Sequence, residues 1–121
     1  MDILLFLTLL FVKHFIVDFP LQGPYQYTNK GTYLHMGGQL HAGLHGIGTF
    51  IVTVFFVDFG VAMMIAVADA FIHYHIDWAK VNINKYFKWQ SHTSEKFWWL
   101  LGFDQLLHTL TYIGFAYYIA P

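Results

Sequence analysis

Residues 61–79 read VAMMIAVADAFIHYHIDWA, and the rest of the chain is best interpreted from this stretch. It is close to the roughly 20 apolar residues needed to cross the hydrocarbon of a bilayer. Yet it carries Asp69, His73 and Asp77, each four residues from the next. Four residues is about one helical turn, so the three side chains project from one face. Ionisable groups in hydrocarbon are costly, and each one is by default a functional-site hypothesis.

Three further apolar segments repeat the pattern. The first holds His14 and Asp18, the second His41 and His45, and the last Asp104 and His108. The expected fold is therefore all-α, a four-helix transmembrane bundle in a single domain, with spans at about 2–19, 37–57, 61–79 and 96–120. Pro20 closes the first span, because the residue before proline is driven out of helical geometry. The stretch 21–36 reads as a loop with Pro24, Asn29, Lys30 and Gly31 as breakers. Lys80 to Glu95 reads as a second polar connection.

Composition agrees with a membrane class. Of the 121 residues, 57% are hydrophobic and only 11% charged, against about a quarter charged in soluble domains. A net charge of −1, with no Arg, offers no basic face for nucleic acid. With no Cys there is neither a thiolate ligand nor a thiol nucleophile. Motifs for serine hydrolysis, for a phosphate-binding glycine loop and for HExxH are absent.

Lysines set the expected orientation. Lys30, Lys80, Lys85 and Lys88 fall in the two loops that four spans would place on one side, with Lys96 at the boundary. The positive-inside rule makes that side cytoplasmic and leaves both termini on the other. Every His/Asp pair then lies within roughly 3–18 Å of the same boundary, at 1.5 Å rise per residue. A topology assigned from lysines thus gathers all four pairs in one leaflet.

Imidazole and carboxylate together suit zinc foremost, then iron or manganese. His41, His45, His73, Asp77 and Asp69 are the expected ligands of one or two ions, with Asp69 or Asp77 as the bridge between two. His41 and His45 form an HxxxH pair that can chelate from one helix. Asp18 and Asp104 are the candidate general bases, and His14 and His108 the supporting groups or proton carriers. Lys13 and Lys80 flank the cluster, placed to hold an anionic part of a substrate. The plain alternative is that each pair only hydrogen-bonds one helix to the next. Gly38, Ala42 and Gly46, again four apart, suit close helix packing.

The segments KHFIVDFPLQ (13–22), HMGGQLHAGLHGIGT (35–49), DAFIHYHIDWAK (69–80) and DQLLHTLTYI (104–113) carry a resemblance. Nearly the whole chain is similar to a domain-of-unknown-function family of small polytopic membrane proteins from bacteria and their phages. The resemblance implies a multi-pass protein of the bacterial inner (cytoplasmic) membrane. In outline the cluster also looks like those of integral-membrane metal-dependent hydrolases. The functional expectation is a metal-dependent hydrolase acting on a lipid-linked or amphipathic substrate among membrane lipids. A proton-coupled or metal-ion transporter, acting as a homo-oligomer, and a non-catalytic membrane regulator are the alternatives.

Overall fold

The computed structural model describes residues 1–121 and is entirely helical. Five helices follow one another: α1 (Ile3–Asp18), α2 (Pro24–Tyr27), α3 (Met36–Thr53), α4 (Phe59–Phe87) and α5 (Glu95–Ile119). The long four form a closed ring, α1 against α3 and α5, and α4 against α3 and α5, while the single turn of α2 leans on α3. Ile3 and Ile119 pack on the same apolar cluster, so the two termini share one end of the bundle.

Local chemistry sets the boundaries. Asp2, Asp58 and Ser94 accept from backbone N–H groups in the first turns of α1, α4 and α5. His35 caps α3 through its ring, accepting from the Gly37 N–H. Two boundaries depart from the sequence reading. Pro24, read as a breaker, instead opens α2, because its fixed φ suits the first helical position. The polar run after Ala79, read as a loop, continues α4 to Phe87, where Lys88 ends it in left-handed geometry with φ 57°. No Gly or Pro interrupts residues 61–87, so polarity alone had no means of stopping the helix. The second segment is also shorter than expected, since residues 54–57 turn away after Thr53.

By length and composition, only α4 qualifies as a membrane span. The four spans expected from sequence are therefore not all met. At about 1.5 Å per residue, α1 and α3 fall short of the ~30 Å hydrocarbon thickness. α3 and α5 also carry polar residues at regular spacing, which lowers their linear apolarity.

Those polar residues point inward. Buried polar and charged side chains outnumber buried apolar ones, while Leu4, Ile47, Val67, Phe71 and Phe103 lie exposed on the outside of the ring. Phe71, for example, is 66% exposed while His73, two residues on, is 1% exposed. A helix with period 3.6 separates such neighbours onto different faces.

Candidate metal centre

Each long helix sends an inward stripe toward the axis at four-residue spacing. α1 offers Phe6, Leu10, His14 and Asp18; α3 offers His41, His45, Thr49 and Thr53; α4 offers Asp69, His73 and Asp77; α5 offers Asp104, His108, Tyr112 and Ala116. The helices alternate in direction, so the His/Asp parts of all four stripes meet at one level. Gly46 lets α3 and α4 close on each other, since a Cβ there would stand 3.0 Å from the Ala66 carbonyl and from the Ala70 Cβ.

Two carboxylates organise the cluster. Asp18 Oδ1 lies 2.8 Å from His45 Nε2, 3.1 Å from His41 Nε2 and 3.7 Å from His73 Nε2. Its Oδ2 lies 2.9 Å from His14 Nε2. Asp77 Oδ2 is 3.2 Å from both His41 Nε2 and His73 Nε2, and its Oδ1 is 3.3 Å from His108 Nε2. His41 Nε2 and His73 Nε2 are 3.3 Å apart. Asp18, His41, His45 and His73 form one donor group compact enough for an ion, and His73, Asp77 and His108 a second.

Hydrogen placement separates the histidines. Gln26, carried in by α2, donates its amide N–H to the Leu21 carbonyl, which turns its Oε1 toward His41 Nδ1 at 3.1 Å. His41 Nδ1 is thus engaged by Gln26, and its Nε2 faces Asp18 Oδ1, Asp77 Oδ2 and His73 Nε2. A ring nitrogen between two carboxylate oxygens suits positive charge there, a proton on Nε2 or a metal ion. A single proton on His41 serves one of three acceptors well; a divalent ion serves all.

His45 and His14 are arranged the other way. Lys13 Nζ, ion-paired to Asp69 Oδ2 at 3.0 Å, lies 3.3 Å from His45 Nδ1. It also donates to the Tyr112 hydroxyl at 2.9 Å, which meets His14 Nδ1 at 2.9 Å. With the lysine and tyrosine donating to these Nδ1 atoms, His45 Nε2 donates to Asp18 Oδ1 and His14 Nε2 to Gln105 Oε1, with Asp18 Oδ2 beside it. The distances agree. The His45 contact to Asp18, 2.8 Å, has the length of a charge-assisted hydrogen bond. The contacts among His41, His73, Asp18 Oδ1 and Asp77, mostly 3.1–3.3 Å, are longer. Separations of this size suit donor atoms around one ion. The two rings of the HxxxH pair, both in the first donor group, thus have different neighbours at Nδ1: Gln26 for His41 and Lys13 for His45.

Several expected roles shift. Asp69 stands outside both donor groups, held by Lys13 and by the Thr49 hydroxyl. Lys13, expected at the boundary, is buried, because Gly48 leaves room for its stem against α3. Asp18, expected as a base, lies in the donor set. Lys80 pairs with Asp104 Oδ2 at 3.3 Å and, with it, lines a groove of about 280 Å³ between α4 and α5.

Lys30, Gln26, Gln105 and Tyr112 were not read from sequence as members of the site. Lys30 Nζ lies 3.3 Å from Asp77 Oδ2, and Gln105 Oε1 3.2 Å from His14 Nε2. Tyr112 follows His108 by four and Thr49 follows His45 by four, so both were legible as continuations of the stripes.

The family described as "Protein of unknown function (DUF3307)" matches residues 6–120. The chain belongs to that family. No curated protein and no solved structure matches it. The match takes in every residue of both donor groups.

Proposed function

We propose that this chain is a multi-pass integral membrane metalloprotein whose His/Asp centre hydrolyses a lipid-linked or amphipathic substrate. The observation that carries the metal is His41. Its Nδ1 is engaged by Gln26, and its Nε2 faces two carboxylates and an imidazole. His41, His73, Asp18 and Asp77 are the ligands, and zinc is the ion their chemistry favours. The membrane reading rests on the inverted surface. Apolar faces as extensive as those of Leu4, Ile47, Val67, Phe71 and Ile113 are covered by lipid or by partners. The lysines of the α2 region and of the end of α4 then stand at the cytoplasmic boundary.

When bound, the ion supplies Lewis-acid polarisation of the scissile group and acidifies water. The chain supplies the rest. His45 and His14 hold Asp18 by its two oxygens, and Gln26 holds His41 in ligand form. His14, bonded to Asp18 on one side and to Tyr112 on the other, carries protons away from the reacting centre. Lys80, lining the α4–α5 groove, meets the anionic part of the substrate.

Elemental analysis of the full chain purified in detergent tests the centre. Transition metal is expected to copurify, to be lost in His41→Ala/His73→Ala, and to survive in His45→Gln, whose amide N–H still donates to Asp18. Mixed micelles of phosphatidylglycerol test the chemistry, read as released fatty acid or phosphate. Product that stops on chelation and returns with zinc supports hydrolysis. A metal-free protein that stays folded and active overturns the reading.

Proton-coupled transport is the second reading, favoured by one feature. Asp69, Lys13, Tyr112, His14 and Asp18 form an unbroken polar chain along the bundle axis. Proton flux in proteoliposomes that vanishes in Asp69→Asn would select it.

A further inference from the structure

Asp104 is 2% exposed, yet its Oδ1 has no hydrogen-bond partner. A buried carboxylate oxygen without a donor is expensive, and native proteins rarely leave one unexplained. Its other oxygen is already satisfied, accepting from Lys80 Nζ at 3.3 Å and from Gln105 Nε2 at 3.0 Å. The nearest ring atom to Oδ1 among its ion-pair partners is His108 Nε2, 3.4 Å away and outside hydrogen-bonding geometry. The same His108 Nε2 lies 3.3 Å from Asp77 Oδ1.

Two carboxylate oxygens therefore flank one imidazole nitrogen at 3.3 and 3.4 Å. His108 Nε2 is in hydrogen-bonding geometry with Asp77 Oδ1 alone, which leaves Asp104 Oδ1 unserved. An ion among the three atoms would serve both carboxylates and the imidazole, at separations close to those around His41.

Asp77 connects the two places. Its Oδ2 faces His41 and His73, and its Oδ1 faces His108. One carboxylate offering each oxygen to a different set of imidazoles is the arrangement of a bridging ligand. Carboxylate–histidine bundle cores hold ion pairs in this way.

We propose that the centre is dinuclear. A second divalent transition-metal site is formed by His108 Nε2, Asp104 Oδ1 and Asp77 Oδ1, with Asp77 bridging it to the first. This rests on the metalloprotein reading above. With three protein ligands the second site keeps a position for water or substrate. Asp104 and Lys80 both line the groove between α4 and α5, whose walls include Ile76, Leu100 and Phe103. That side gives an apolar chain a route to the second site.

The test counts ions and asks whether they sense each other. The full chain in detergent is stripped with chelator and reloaded with zinc for elemental analysis, or with Mn²⁺ for electron paramagnetic resonance. Two equivalents of zinc and an exchange-coupled Mn²⁺ spectrum are expected. Asp104→Asn and His108→Gln should each halve the zinc and leave an uncoupled signal. Helical circular dichroism and elution volume verify that the variants fold. Should either variant fail to fold, the wild-type count and coupling decide alone. One equivalent in the wild-type chain overturns the second site while leaving the first. No bound metal overturns both.

Discussion

At one end of the bundle Phe6, Leu10, Tyr112 and Ala116 close on one another, with Ile3, Val52, Phe56 and Ile119 packed around them. One or two turns along the same helices, the same inward positions are His14 and Asp18 on α1, and His108 and Asp104 on α5. The first end is held by contact between shapes, as in the edge-on meeting of Phe6 and Phe56 with ring centroids 5.2 Å apart. The second is held by partners: Asp77 alone lies within 3.3 Å of His41, His73, Lys30 and His108. Packing tolerates small adjustments, whereas a buried charge that loses its partner is left with its full desolvation cost. The ends should therefore fail differently.

The largest effect is expected where the two ends join, at Lys13. Lys13→Met strands Asp69 as a buried charge and should cost about 3–5 kcal/mol, measured as unfolding in detergent. Lys13→Met/Asp69→Asn should recover most of it. A single variant as stable as wild type would mean that the pair is not the joint described.

Next comes the apolar end. Phe6→Ala opens a cavity and should cost about 3 kcal/mol, with metal content per folded chain unchanged. Loss of metal in this variant would break the separation between the ends.

The smallest effect on stability is expected of Gln26→Leu, since α2 adds only one turn to the fold. Metal affinity should nevertheless fall about 10–100-fold, because His41 loses the group that selects its tautomer. Competition with a chelator of known affinity reads it. Unchanged affinity would remove the distinction drawn between His41 and His45.

Much of the centre was legible beforehand. His14 and Asp18, His73 and Asp77, and Asp104 and His108 sit four apart in otherwise apolar helices, and lysine placement suggested one shared level. The stripes also extend to Thr49, Thr53 and Tyr112, at the same spacing. What failed was reading polarity as loop: Lys80 to Phe87 remains helical because nothing in it breaks a helix. Lys13 failed for a related reason, since a long cation near a helix end is expected to reach for water. Only the gap at Gly48 shows that it turns inward.

The order of residues alone determined four long helices and their inward faces, because a period of 3.6 residues ties spacing to direction. Division of labour inside the cluster was decided by the tertiary structure. Gln26, fifteen residues before His41 and on another helix, engages that ring at Nδ1 and leaves Nε2 to face Asp18 and Asp77. Lys13, from α1, stands beside Nδ1 of His45. Hydrogen placement on an imidazole depends on what stands beside its far nitrogen, and those neighbours are adjacent only once the chain has folded.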